Sequence, residues 1–126
     1  MRTWETSISG VFAGEDFAKY DDGKTLVLMD IEGGEKELLD PGRYPALRKM
    51  DVIVEMHDLL DASISKTILA RFAESHTGAF IKNRPLFPDI DRLLPSDAFV
   101  DPSDLFLLGW ESRAGQTPWG VFYVTT

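Results

Sequence analysis

The chain has 126 residues and a mass of 14.1 kDa, which suffices for one domain with an ordinary apolar core. Hydrophobic residues make up 44% and charged residues 27%, the balance of a globular chain, while a formal charge of -8 and a pI of about 4.6 disfavour phosphate backbones and anionic lipid as partners. Cysteine is absent, no stretch approaches the roughly 20 apolar residues of a membrane span, and Met1–Glu5 has no signal-peptide core; disulfides and thiolate chemistry are excluded and the cytoplasm is the expected location.

In chain order, Ile8, Val11 and Phe12 suggest a short strand within residues 1–12. Gly14 to Tyr20 reads as one or two helical turns, with Glu15 and Asp16 favourable near its N-terminus, and Asp21-Asp22-Gly23 stops it. Leu26-Val27-Leu28-Met29 is an unbroken apolar run, the pattern of a parallel strand covered on both faces. A helix from Glu35 carries Leu38 and Leu39 and is broken by Asp40-Pro41-Gly42; Pro45 to Lys49 makes a further turn. Val52-Ile53-Val54 is a second apolar run, so residues 26–54 predict a βαβ unit with a right-handed crossover. Ser63 to Ala73 is a helix with Ile64, Ile68 and Phe72 on one stripe, Leu69 beside it, and Ser63 or Asp61 as its cap. His76 to Lys82 is a strand. Pro85 and Pro88 break the chain before a short helix over Asp89 to Leu94, a second helix opens at Pro102 and runs to about Ser112, and Gly115 to Pro118 turns into a final strand from Trp119 to Val124.

The segments Leu26–Glu35 (LVLMDIEGGE) and Asp51–Asp58 (DVIVEMHD), in this order, resemble the FkbM-like branch of class I S-adenosylmethionine-dependent methyltransferases. Asp30, Glu32, Gly33 and Glu35 match that branch's Asp-x-Glu-Gly-x-Glu motif, and Glu55 and His57 match its Glu-x-His; Trp110-Glu-Ser-Arg113 and Pro118-Trp119 are similar to its tail. The resemblance spans residues 11 to 124. It implies an α/β fold, a partial doubly wound (Rossmann-like methyltransferase) sheet of about four strands, mostly parallel with an antiparallel C-terminal strand. It also implies transfer of a methyl group from S-adenosylmethionine to a small-molecule or sugar oxygen. The glycine-rich half that would hold this cofactor belongs in a region of roughly 80–100 residues preceding residue 11. No G-x-G-x-x-G occurs in the 126 residues, so the expectation is one domain equivalent to the C-terminal half of a methyltransferase, truncated and inactive alone.

Ligands of open α/β sheets bind beyond the carboxyl ends of strands. Asp30 and Glu32 leave one such end and Glu55, His57 and Asp58 the next, so Asp30, Glu32, Glu55 and His57 are the candidate catalytic residues. In a methyltransferase they would supply the base that takes the acceptor's proton; three carboxylates and an imidazole also suit a hard divalent ion. The bland readings differ by residue. Acids at strand ends commonly cap helices or sit in solvent. Glu35 reads as a first-turn helix acid, and Gly33-Gly34 as a tight turn rather than a phosphate cradle. His76 reads as surface or turn, Arg71 and Arg84 as partners of ordinary ion pairs, and Trp110 and Trp119 as packing residues.

If the strand over 26–31 lacks a neighbour on one side, it is a long apolar edge without the charge, proline or bulge that blunts natural edges. The expected remedies are a second copy, cover by residues 1–12, or a longer polypeptide. Besides the methyltransferase-like reading, with a small-molecule acceptor as partner, two alternatives stand. One is a non-catalytic oligomerising or complementing binding module. The other is a metal-dependent enzyme using Asp30, Glu32, Glu55 and His57.

Overall fold

The apolar runs do become strands, and their burial shows what drives them. A computed structural model describes residues 10–82, 95, 101, 103–104 and 117–125. Strand β1 (Leu26–Met29) lies parallel to β2 (Asp51–Glu55), with Leu26 opposite Asp51 and Met29 opposite Val54. Among the described residues strand β3 (His76–Ile81) pairs only with β4 (Trp119–Val124), and β4 pairs antiparallel with both β2 and β3. The sheet order is β1-β2-β4-β3. The chain is therefore α/β with a mixed four-stranded sheet. The last strand is antiparallel to the other three, as expected, but its insertion between β2 and β3 leaves β1–β2 as the one parallel pair among the described residues.

Helix α1 (Glu35–Leu38) follows β1, and helix α2 (Ile64–Phe72) joins β2 to β3. The turns at Gly14–Tyr20 and Pro45–Lys49 are 3-10 helices. The stripe Ile64, Ile68 and Phe72 is fully buried, with Val52 and Val54 of β2, Phe122 of β4, and Leu39, Leu47, Met50 and Met56 in the same core. Each such side chain contributes about 1.5–3 kcal/mol by leaving water. Phe72 and Phe122 stack tilted at 5.1 Å between centroids, and the His76 ring meets the Phe72 edge at 4.8 Å.

Two expectations are corrected. β1 is not covered on both faces: Met29 is buried, while Leu26 and Leu28 are 58% and 68% exposed. Alternation along the pleat turns those leucines to the face opposite the α2 core. His76 is buried, not a surface residue; its Nε2 donates to the Met50 carbonyl at 2.8 Å and its Nδ1 accepts from the Ser75 hydroxyl at 2.8 Å, so both ring nitrogens are satisfied. Of the strand expected within residues 1–12, only residues 10–12 are described; these three are not strand, and Val11 is exposed. Ser103 and Asp104 are helical, with Asp101 Oδ1 accepting the Ser103 N–H at 2.8 Å. The rest of that expected helix, the one over 89–94, Arg84, Trp110 and residues 1–9 lie outside the described residues.

The turn at Gly14–Tyr20 is held by a contact that composition does not reveal. The Tyr44 ring lies over Gly14 so closely that a Cβ there would sit 2.0–2.5 Å from its carbons. Tyr44 is itself buried and tilts against Phe17 at 6.1 Å, so the ring has little room to retreat. Gly14→Ala is expected to cost about 1–3 kcal/mol, the usual range for overpacking, measured by urea unfolding.

The start of α2 uses acids in an unexpected division of labour. Ser63 makes no side-chain cap bond. Asp58 Oδ1 accepts the Ser65 N–H at 2.8 Å, and Asp61 Oδ1 accepts the Ser63 N–H and hydroxyl at 2.9 and 2.7 Å. Lys36 Nζ donates to Asp61 Oδ2 at 2.7 Å, and these bonds, that of Lys36 foremost, hold the Asp61 carboxyl well below the usual range. A depressed folded value stabilises above the unfolded value of about 3.9 and is lost as pH falls through the folded one. Asp61→Asn should therefore lower the urea midpoint slightly at pH 7, with the difference from wild type shrinking steadily below about pH 4.

Candidate functional site

The parallel register that pairs Met29 with Val54 brings the next residues, Asp30 and Glu55, level at the carboxyl end of the sheet. Both continue the face of Leu28 and Ile53, because strand side chains alternate. His57 follows two residues after Glu55. One ligand-capable atom from each of Asp30, Glu55 and His57 lies within 4.8 Å of the others. His57 Nε2 is 3.8 Å from Asp30 Oδ1 and 3.9 Å from Glu55 Oε2. Asp30 is exposed and the other two are buried, so the cluster has one side open to solvent and a dry floor.

The floor is held from behind. Gly33, at φ 95, takes the left-handed backbone that the strand-to-helix turn needs, and two residues later Glu35 opens α1. Its side chain turns inward: Glu35 is fully buried, and its Oε1 accepts a hydrogen bond from His57 Nδ1. Glu35 is thus part of the site and not simply an acid at a helix start. On the other flank Thr117, just before β4, is buried and its hydroxyl donates to Glu55 Oε1. Each of the two buried groups therefore has one polar atom anchored and the other turned to the cluster.

Asp30, Glu55 and His57 are brought together as expected. Glu32 is not: it is exposed and outside the cluster. Asp58, expected at the same crevice, instead serves the α2 N-terminus. Thr117 was missed, since a threonine before a proline at a turn carries no local signal. Glu35 had one, its place in the Asp-x-Glu-Gly-x-Glu motif. Arg71 stays outside the site, paired with Asp40 at 3.1 Å and donating to the Lys36 and Leu39 carbonyls at the end of α1.

A second feature adjoins. β1 ends the strand order, and a groove of about 420 Å³ runs along it between Phe12, Phe17, Tyr20, Leu28, Ile31 and Leu38, with Asp30 at its margin. Among the described residues there is no helix long and apolar enough to cross a membrane.

These features define an α/β sheet with a polar site at its carboxyl end. Comparison with known proteins takes the assignment no further: no family model matches the chain, and neither a curated protein nor a solved structure matches it.

Proposed function

We propose that this chain is a methyltransferase-like domain, equivalent to the C-terminal half of an FkbM-like class I enzyme, in which the Asp30–Glu55–His57 end of the sheet receives the methyl acceptor. The observation that carries the reading is the convergence of the two motif-bearing strand ends on one cluster, with Glu35 of the first motif bonded to His57 of the second. The antiparallel final strand agrees with it.

S-adenosylmethionine would supply an electrophilic methyl group on a sulfonium. With the cofactor bound by its own half, the Asp30–Glu55–His57 cluster would hold the acceptor hydroxyl and take up the proton it gives up on methylation. Burial of Glu55 and His57 excludes bulk water from one side of the acceptor, and exposure of Asp30 leaves the proton a way out to solvent. The described residues contain no glycine-rich cradle for the cofactor. In this reading it is held by a complementary half that pairs along β1, which has one strand neighbour among the described residues, over the apolar groove.

The test combines calorimetry and light scattering. S-adenosylmethionine titrated into the 126-residue chain should give no saturable heat. Co-expression with the glycine-rich half of a class I methyltransferase should give a complex that binds it at micromolar concentration, and Leu28→Lys on β1 should abolish the pairing. Saturable binding by the chain alone, or a monodisperse monomer that ignores the added half, overturns the reading.

A further inference from the structure

We infer that Asp30, Glu55 and His57 form a binding site for one first-row divalent transition cation, of which Zn²⁺ is the representative. The inference does not depend on methyl transfer.

Acidic side chains alone would not justify it; the decisive atom is His57 Nε2. The His57 side chain is only 6% exposed, its Nε2 is buried, and among the described residues that nitrogen has no hydrogen-bond partner. Because Nδ1 donates to Glu35, a neutral ring carries its lone pair on Nε2. A buried lone pair without a partner is costly, and this one points between two carboxylates. A cation held by that nitrogen and the two carboxylates satisfies it.

The spacing agrees. Nε2 lies 3.8 Å from Asp30 Oδ1 and 3.9 Å from Glu55 Oε2, and the set spans no more than 4.8 Å. A point equidistant from atoms so placed lies roughly 2.1–2.5 Å from each, and Zn²⁺ takes nitrogen and carboxylate oxygen at about 2.0–2.2 Å, within reach of a small side-chain adjustment. One imidazole with two carboxylates suits a first-row transition ion better than Mg²⁺ or Ca²⁺, which prefer oxygen throughout. The outer partners match as well: ligating histidines give their second N–H to a carboxylate, here Glu35, and ligating carboxylates are themselves hydrogen-bonded, here Glu55 by Thr117. Three protein ligands, one of them exposed, leave positions open to solvent, as reactive rather than structural sites do. If methyl transfer also holds, a cation held by Asp30, Glu55 and His57 would polarise the acceptor hydroxyl.

Zn²⁺ chloride titrated calorimetrically into the chain, without S-adenosylmethionine, should bind with one equivalent and at least ten-fold tighter than Mg²⁺ or Ca²⁺. Asp30→Asn, at an exposed position, should weaken binding ten-fold or more, Thr117→Val by about 10–100-fold through loss of the Glu55 anchor, and Asp22→Asn not at all. In ¹⁵N spectra of the wild-type protein, the Nε2 of one histidine should shift on Zn²⁺ addition while the other histidine stays unchanged; this readout needs no variant. Absence of one-equivalent binding, affinity indifferent to Asp30→Asn, equal affinity for Ca²⁺, or unmoved histidine nitrogens each overturns the site. None of these results touches the cofactor titration, so the two readings fail separately.

Discussion

Phe72→Ala should lower the unfolding free energy by about 3–5 kcal/mol, the range for a phenylalanine removed from a packed core. Phe72 is fully buried at the end of α2, between the Phe122 ring at 5.1 Å and the His76 ring at 4.8 Å. These neighbours belong to β4 and β3, which the backbone pairs tightly, so the vacated space cannot collapse without shifting the sheet. Met50 is coupled to the same region through the His76 bond to its carbonyl. Domains of this size are stable by only about 5–15 kcal/mol, so the variant should be largely unfolded in moderate urea. The comparison that isolates packing is Leu69→Ala on the same helix: Leu69 is 37% exposed and off the buried stripe, and its loss should cost about 1 kcal/mol or less. Urea midpoints with unchanged slope would check both; equal losses for the two would mean that the stripe is not the core.

Breaking the Glu35–His57 pair from either side should cost about 3 kcal/mol, where the penalties for an orphaned buried polar group and for a broken buried ion pair meet. Both side chains are buried, and Glu35 Oε2 already lacks a hydrogen-bond partner among the described residues, so neither residue has a ready substitute contact. Glu35→Leu leaves His57 Nδ1 without its acceptor; His57→Leu leaves the Glu35 carboxyl in a dry interior. The double replacement removes both polar groups and should recover most of the loss, because apolar side chains of similar volume often substitute for a buried pair at little net cost. A double-mutant cycle reads this directly: a coupling of about 2 kcal/mol or more supports the pair, and strict additivity shows that the two groups act apart. The pair is thus a costly element for the fold. Its retention in a small domain fits a site that needs a fixed imidazole.

Much of the fold was legible because the chain punctuates itself. Continuous apolar runs at 26–29 and 52–54, a helical stripe at Ile64, Ile68 and Phe72, and breakers at Asp21–Gly23 and Asp40–Gly42 all coincide with element boundaries, since periodicity and turn chemistry are local properties. Candidate site residues were legible to the extent that strand-end position determines location. Asp30, Glu55 and His57 qualified on that rule and do meet. Glu32 and Asp58 qualified equally and do not, because the direction of a side chain past a strand end depends on the turn that follows. Gly33 bends the backbone so that Glu35, not Glu32, comes inward, and the α2 N-terminus claims Asp58 for its own unpaired N–H groups.

By itself, then, the sequence determined the elements between Gly14 and Ile81 and the last strand, their order, the α/β class and the two strand tips that carry polar groups, all through short-range patterns of polarity and turn residues. Tertiary structure alone decided what those tips touch. It inserted β4 between β2 and β3, bringing Thr117 to Glu55 across 62 positions, and turned Glu35 onto His57. It also buried His76 against the Met50 carbonyl 26 positions away. Contacts between distant positions are selected by packing and by the need to satisfy buried polar atoms, and neither requirement leaves a mark in the local sequence.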